Sequence, residues 1–498
     1  METLRRIEQL LWRGLLLCVP VAASPLLPLG SGTLTRPLAI VPAGVLLLLA
    51  GFRIIVLRQW PRLSARGFLL LGLFFAFVTL SGLLIVYAEP PILFKGQAPL
   101  GSLLRALFTL VMGVSFYTVA RLHIRTPADI RITIRYLFIS MTASVAVAVF
   151  QAIALAVHGE MLRLAQALTD LFAVHYQNLK DRAQGMSYEP SWLATEILAL
   201  LAPALIAASI SRQSAMGQPA EPGHVWRVAG GFGVAITGLL CSGSRFGLGA
   251  MIAMLVLSSI AAARRGKFLA AGALLSVLVA GGGSLFAMGQ LGTGAGSSYV
   301  LGPLRYLSSS GTVDTNDPEL AANLSNTLAL AGRAAAAQAA VGMWLDHPLA
   351  GVSLGNGFRH FAGYAPEWFF ATGAFNTGNR EGAAWLDPNS PEKGNAKNMM
   401  LRLLSETGLV GFVLFFAFFL GQIFHGPATD AYHAEFRLAT ALALGFGYLN
   451  TDTFADPTFW IPLALCFAMN RRPQSQGETG VHAPANRQFA MARIERTL

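Results

Sequence analysis

Charged residues are scarce in this chain of 498 residues, since Asp, Glu, Lys and Arg make up 12% of it while 54% of the residues are hydrophobic. Soluble globular domains carry about 25% charged residues. The composition therefore excludes an ordinary soluble domain and predicts a protein whose solvent is lipid. Its apolar residues occur in runs of about twenty, the length of a helix that crosses a bilayer.

Cysteine is also rare, and the three residues Cys18, Cys241 and Cys466 lie far apart. Their spacing matches no metal or redox site, so we expect each to pack among apolar neighbours. No cluster of His, Cys and carboxylate residues has ligand spacing, so we predict neither a metal nor another cofactor. The formal net charge is +11, but the basic residues are dispersed between apolar runs, which argues against nucleic acid as a partner.

The apolar runs predict an all-α polytopic membrane protein with about twelve transmembrane helices. The predicted spans lie near residues 10 to 30, 38 to 57, 67 to 87, 99 to 120, 136 to 157, 191 to 210, 226 to 242, 246 to 263, 267 to 288, 405 to 424, 434 to 450 and 456 to 470. With this count the basic groups between spans, such as those at Arg58, Arg121 and Arg264, all fall on one side. The positive-inside rule makes that side cytoplasmic, so both termini are expected in the cytoplasm.

The sequence predicts six consecutive regions. They are an N-terminal five-helix membrane region (1–157), an amphipathic segment outside the membrane (158–190), membrane helices with an outward Ser-Gly-Ser-Arg hairpin (191–288), a large outer loop between spans nine and ten (289–397), C-terminal membrane helices (398–470) and a disordered cytoplasmic tail (471–498). The stripe from Met161 to Phe172 has helical spacing and predicts an interfacial helix. The alanine-rich run from Arg333 to Trp344 predicts another helix, and Gly373 to Gly394 an irregular loop.

A polar interruption from Cys241 to Gly247 divides an apolar stretch that is too long for one helix. An arginine at mid-membrane costs about 2.5 kcal/mol or more, so the chain is expected to turn here, with Arg245 at the outer mouth of a hairpin. A guanidinium in that place suits an anion clamp, because it binds phosphate bidentately and keeps its charge in a partly dry site. The alternative is a snorkelling arginine at a turn.

Five segments together resemble the superfamily of O-antigen ligases and O-antigen polymerases, which are bacterial membrane glycosyltransferases. They are Ser242 to Arg245; Gly332-Arg333 followed by Trp344 to Asn356; Lys397-Asn398 with Leu401; Leu404 to Leu409; and Tyr188 to Leu193, which is similar to the Glu-Pro-Ser element of polysaccharide polymerases. The likeness covers roughly residues 180 to 470, whereas the first five spans match only in general character.

The resemblance implies a GT-C-like enzyme of the bacterial inner membrane with a periplasmic active site. It implies transfer of glycan from an undecaprenyl diphosphate carrier to a hydroxyl acceptor, with inversion and without a metal ion. Such chemistry needs charge stabilisation for the leaving diphosphate, a base for the acceptor hydroxyl and a lipid-accessible groove. The expected partners are the lipid-linked oligosaccharide donor, a lipid-linked glycan acceptor and membrane lipids, and a chain-length regulator or export partner is compatible with this role.

The resemblance also implies roles for individual residues. Arg245 and Arg333 are expected to bind the diphosphate, and the alternative for Arg333 is an exposed arginine at a helix start. Family ligases usually carry His-Asn where this chain has Lys397-Asn398, so we interpret Lys397 as a phosphate ligand. That leaves Glu189 as the candidate base or as an anchor for acceptor hydroxyls, with an N-terminal helix charge as the alternative.

A second group of residues is assigned to substrate binding. Arg182 is placed near the carrier phosphates and Ser244 beside Arg245, while Arg359 and His360 are candidates for sugar contacts. Asn398 and Glu406 complete the group. For Glu406 the default interpretation is a carboxylate that complements the helix dipole at the start of a span.

Four functions remain in competition. A polymerase of O-antigen, capsule or exopolysaccharide repeat units leads, because of the Glu-Pro-Ser element and the missing family histidine. An O-antigen ligase that moves finished glycan to lipid A core is the first alternative. A transporter or flippase for lipid-linked sugars is less favoured, because no internal repeat of transporter type is seen. A noncatalytic assembly subunit is the last.

Overall fold

The structure is a computed structural model that describes residues 2–27, 35–59, 66–88, 93–173, 182–211, 223–290, 318–366, 396–428 and 430–469. The predicted irregular loop from Gly373 to Gly394 and the predicted tail (471–498) lie outside these residues. The described residues form helices and only isolated β-bridges.

Sixteen helices are present in the described part of the chain. The first eight are α1 (Glu2–Cys18), α2 (Ile40–Ile55), α3 (Arg66–Ala88), α4 (Pro99–His123), α5 (Pro127–Val157), α6 (Gly159–Phe172), α7 (Pro190–Glu196) and α8 (Ala202–Ser211), with a π-helical turn (Ile197–Leu201) between α7 and α8. The others are α9 (His224–Ser242), α10 (Arg245–Arg264), α11 (Phe268–Gln290), α12 (Pro318–Asp346), α13 (Gly357–Tyr364), α14 (Met399–Ile423), α15 (Ala431–Asn450) and α16 (Pro457–Met469).

The predicted all-α polytopic membrane fold is confirmed. Among the described residues, 7 helices are long and apolar enough to cross a membrane, and three shorter apolar helices accompany them. Every predicted span overlaps one of the helices, including α1 and α15, which are not among those ten. The number of crossings and the GT-C-like architecture therefore remain predictions.

Two boundaries of the predicted spans are wrong, and each difference has a physical reason. The predicted span 10 to 30 corresponds to a helix that already ends at Cys18, because Pro20 and Pro25 follow and cannot continue it. The predicted span 405 to 424 begins earlier, at Met399. The polar residues Arg402, Ser405 and Glu406 concealed this start, since they read as loop in a hydropathy profile.

The bundle has two ends, which we call the basic end and the site end and define by their residues. At the basic end, Tyr117 near the end of α4 donates a hydrogen bond to Gln422 near the end of α14 at 2.5 Å. This end also holds Arg53, Arg265 and Lys267, of which Arg53 pairs with Glu8 at 2.9 Å. The site end holds residues 182–189, Gly243, residues 396–398 and residues 450–456.

An aromatic core anchors the chain between α15 and α16 at the site end. Tyr448 and Phe459 stack with ring centroids 4.4 Å apart, and the indole of Trp460 donates to the carbonyl of Phe454 at 2.6 Å. Gly113 of α4 makes room for this arrangement, since a Cβ there would lie 2.3 Å from both the Phe454 carbonyl oxygen and Trp460 Nε1. This packing fixes the position of residues 451–456 along the axis of the helix bundle.

Both helices that were predicted outside the spans are present. Helix α6 matches the predicted amphipathic segment, with Ala165 and Thr169 packed inward and Leu164 and Leu171 exposed at 61% and 64%. The predicted alanine-rich helix lies within α12, whose small side chains allow close approach to α13 and α14. Whether α6 lies in a membrane interface remains a prediction.

Candidate functional site

A break in helix α14 brings two of the predicted motif segments together. Gly408 has φ 62° and ψ −171° inside the helix, so the N–H groups after it bond elsewhere. Leu409 donates to the carbonyl of Pro348 at 2.8 Å, and Val352 donates to the carbonyl of Ser405 at 2.9 Å. A Cβ on Gly408 would lie 2.2 Å from the carbonyl carbon of Leu349. Glycine is therefore required for residues 347–356 to pack against this helix.

Glu406 ties the same two segments together with its side chain. Its Oε2 accepts the N–H of Gly355 at 2.8 Å and the Nε–H of Arg402 at 3.0 Å. Because α14 begins at Met399, Glu406 does not lie in a first helical turn, and the interpretation as an N-terminal helix charge is wrong. The carboxylate is buried and holds a backbone loop against the helix.

Arg402 continues this network toward α15. Its Nη1 donates to the backbone carbonyl of Asp452, and its guanidinium lies over the ring of Phe454 at 5.5 Å. Burial raises the pKa of the Asp452 carboxyl, and the nearby cations Arg402 and Lys397 oppose that rise. Lys397 has φ 46°, a left-handed conformation that is uncommon for a residue with a side chain. Two cations and two carboxylates are therefore grouped where α14 begins.

A second chain of contacts connects Arg333 with the Glu-Pro-Ser element. Arg333 Nη1 donates to Asn450 Oδ1 at 3.2 Å. The amide of Asn450 in turn donates to the carbonyl of Ser191 at 3.3 Å and to Thr195 Oγ1 at 3.2 Å. The hydroxyl of Ser191 donates to the carboxylate of Glu189, which stands at the N-terminus of α7 directly before Pro190. Arg333 and Glu189 thus belong to one hydrogen-bonded chain.

The predicted turn at the Ser-Gly-Ser-Arg segment is present between α9 and α10. Gly243 has φ 54°, and Ser244 caps α10 by accepting the N–H of Gly247 at 3.1 Å. Arg245 is the first residue of α10 and is exposed. Arg182 lies against this turn, since a Cβ on Gly243 would be 3.1 Å from its Cδ. Arg182, Ser244 and Arg245 form a group beside α7, where Gly247 packs on Ala194.

Two other predicted residues, Asn398 and Arg359, have backbone partners. Asn398 caps α14, with its Oδ1 accepting the N–H groups of Met400 and Leu401 at 2.9 and 3.2 Å. Arg359 of α13 donates to the carbonyl of Gln97 at 2.9 Å, and His360 beside it is half-buried. These contacts hold local structure, so a role in sugar binding for them remains a prediction.

The sequence can be compared with models of known protein families. Residues 230–416 match the family model described as O-antigen ligase. The predicted family resemblance is confirmed. The match supports an O-antigen ligase or polymerase type of function, with lipid-linked glycan and membrane lipids as the corresponding partners. No curated protein matches the sequence at a significant level.

Residues 230–416, which match the O-antigen ligase model and are called the O-antigen ligase segment below, contain part of the site. This segment includes Ser244, Arg245, Arg333, Arg359, His360, Lys397, Asn398 and Glu406. Arg182 and Glu189 precede it, and Asn450 and Asp452 follow it. The structure joins the segment to both flanks, because Arg333 bonds to Asn450 and Arg402 bonds to Asp452. Arg333 thus contacts Asn450 directly, whereas Glu189 is connected to Asn450 through Ser191 and Glu406 to Asp452 through Arg402. Lys397 lies near enough to Asp452 to act on its charge, and the group around Arg245 lies beside α7.

Sequence reasoning missed Arg402, Asn450 and Asp452. Arg402 and Asn450 lie in helices that were taken as apolar spans or their margins, and Asp452 lies in a short turn without a motif. The signal that could have found them is the presence of polar and charged residues within or next to apolar spans. Such residues are energetically unfavourable in the membrane and therefore mark functional or structural networks.

Proposed function

We propose that this chain is a polysaccharide polymerase of the bacterial inner membrane. In this proposal it transfers glycan from an undecaprenyl diphosphate carrier to a sugar hydroxyl of a second lipid-linked glycan, with inversion and without a metal ion. The observation that carries it is the chain of contacts from Arg333 through Asn450 and Ser191 to Glu189. It connects a cation of the O-antigen ligase segment with the carboxylate of the Glu-Pro-Ser element.

The cations provide the charge stabilisation that the reaction needs. A departing diphosphate develops negative charge on its oxygens, and preorganised donors aimed at such charge are worth about 2.7 to 4 kcal/mol each. Arg333 is fixed by Asn450, and Lys397 stands beside Arg402 and Asp452. Arg245 begins α10, where the helix dipole adds positive potential.

Glu189 is the proposed proton acceptor. The acceptor oxygen attacks the anomeric carbon from the side opposite the phosphate, the carbon–oxygen bond to phosphate breaks, and its electron pair leaves with the diphosphate. The hydroxyl proton passes to the carboxylate of Glu189. Attack from the opposite side inverts the anomeric configuration. Glu189 is half-buried at the N-terminus of α7, the helix against which Gly247 of α10 packs, and this position supports the role.

The positive-inside rule supports a periplasmic orientation of the site end. Arg53, Arg121, Arg265 and Lys267 gather at the opposite end of the bundle, and such groups face the cytoplasm. Both termini would then be cytoplasmic. Reporter fusions within residues 396–398 and after residue 469 test this topology directly.

Deletion of the gene distinguishes polymerase from ligase. We expect surface glycan reduced to single repeat units, because units still reach the acceptor lipid but are not joined. Complete chains left on the carrier would instead identify a ligase. Purified protein in liposomes that moves the lipid-linked donor without forming a glycosidic bond would identify a transporter. Retention of activity in EDTA is expected, and a loss that divalent ions restore would refute the metal-independent mechanism.

A further inference from the structure

Residues 182–189 connect two proposed site residues, Arg182 and Glu189, and run through the interior of the bundle. Ala183, Gln184 and Ser187 are buried, although this segment has no helical hydrogen bonds of its own. Irregular backbone at membrane depth is stable only where protein groups satisfy its N–H and C=O groups. The conformation of this segment therefore depends on the side chains that face it.

One side chain of α5 satisfies three of these backbone groups. Gln151 is fully buried. Its Oε1 accepts the N–H groups of Gln184 and Gly185 at 3.0 and 2.8 Å, and its Nε2 donates to the carbonyl of Gly185 at 3.0 Å. The second Nε2 hydrogen bond goes to Thr169 Oγ1 at 2.9 Å. Both ends of the amide are thus occupied, and three of the four bonds hold the segment.

Neighbouring groups add further hydrogen bonds to the segment. Ser144 of α5 accepts the N–H of Met186 at 3.1 Å, and Ala183 donates to the carbonyl of Cys241 at 3.1 Å. Gly185 has φ 61°, and a Cβ there would lie 2.7 Å from the carbonyl oxygen of Ser144. The tight turn at Gly185 can therefore form only in close contact with α5, at the point that Gln151 holds.

We propose that Gln151 is a positioning residue that sets the placement of Arg182 and Glu189 by fixing the backbone between them. Gln151 lies outside the O-antigen ligase segment, in a span with no motif. The inference rests on the proposed function for the roles of Arg182 and Glu189, but the placement of the backbone can be measured without it.

The test compares Gln151→Met, which keeps the size of the side chain and removes its hydrogen bonds, with Gln422→Met as a matched control. Gln422 is also buried and hydrogen-bonded, to Tyr117 and Gly67, but lies at the basic end. In the purified full-length protein, hydrogen–deuterium exchange at the amides of Gln184 and Gly185 should become fast in Gln151→Met and stay slow in Gln422→Met. Gln151→Glu keeps both acceptor bonds and should keep part of this protection.

Turnover gives the second readout. With the lipid-linked donor, kcat of Gln151→Met should fall about a hundredfold, the effect of misplacing a catalytic group by about 1 Å, while Gln151→Glu recovers part of the loss. Slow exchange at Gln184 and Gly185 in Gln151→Met would overturn the inference, as would an equal loss of kcat in Gln422→Met. If the wild-type protein forms no polymer, the proposed function fails, whereas the exchange result still decides whether Gln151 holds this backbone.

Discussion

Arg333 and Asn450 are 117 positions apart in the sequence, yet Nη1 of the arginine lies 3.2 Å from Oδ1 of the asparagine. Asn450 is the last residue of α15, and its amide also donates hydrogen bonds to Ser191 and Thr195 of α7. One amide therefore determines where the guanidinium of α12 stands relative to the carboxylate of Glu189.

A double-mutant cycle tests this coupling. Arg333→Ala and Asn450→Ala should each lower kcat/KM, and the double variant should lose less than the product of the two effects, because both changes remove the same positioned cation. Transfer from the lipid-linked donor by purified protein is the measurement. Strictly multiplicative losses would mean that Asn450 acts independently of Arg333.

Arg245→Ala should reduce turnover by a factor of about a hundred to a thousand, the usual effect of losing one preorganised donor to a developing anion. Arg163→Ala provides the matched control, since Arg163 forms an exposed ion pair with Glu160 at 2.6 Å on α6 and such pairs contribute little. Protein abundance in the membrane should be the same for both variants. Normal polymer from Arg245→Ala would remove this residue from the proposed clamp.

By the resemblance to family ligases, Lys397 stands where a histidine is expected, and substitutions at this position distinguish two interpretations of its role. As a phosphate ligand it should tolerate Lys397→Arg, whereas Lys397→Ala should raise the KM for the donor more than it lowers kcat, because a ground-state contact is lost. Lys267→Ala at the basic end is the control. A collapse of kcat that arginine does not rescue would indicate a proton-transfer role instead.

Gly408→Ala should destabilise the protein, since its φ of 62° disfavours any side chain and a Cβ would overlap the carbonyl of Leu349. The strained backbone alone costs about 1 to 3 kcal/mol. Gly421→Ala lies later in the same helix with open space around its Cβ, and should stabilise the helix by about 0.5 to 1 kcal/mol. Thermal unfolding in detergent compares the two. Equal melting temperatures would mean that the contact with residues 347–356 contributes nothing.

The local motifs were predictable, because each contains its own structural signal. The Ser-Gly-Ser-Arg turn follows from polar residues within an apolar stretch, and the contact between residues 347–356 and Glu406 joins two segments that were already singled out. Asn450, Asp452 and Gln151 were not predictable in the same way. Their importance comes from partners that the fold brings from distant positions, such as Arg333, Arg402 and Gly185, and no local pattern encodes that proximity.

Asp456 gives the protein a stability that depends on pH. Its carboxyl is buried before α16, where it caps Thr458 and lies near Glu196, and burial raises its pKa to about 6 from an ordinary 3.8. Between pH 3.8 and about 6 the folded protein therefore keeps this carboxyl protonated, whereas the unfolded chain releases the proton. This contribution to stability is fully present below pH 3.8 and is lost as the pH rises through about 6.

The melting temperature of the wild-type protein should consequently fall as the pH rises from 5 to 7, by an amount equivalent to about 1 kcal/mol, because part of the effect is already lost below pH 5. Asp456→Asn keeps an oxygen for the Thr458 N–H but cannot ionise, so its melting temperature should change less over this range and exceed that of the wild type at pH 7. Asp346→Asn, at an exposed residue bonded to Tyr364, should follow the wild type. The same pH dependence in Asp456→Asn as in the wild type would assign the effect to another group.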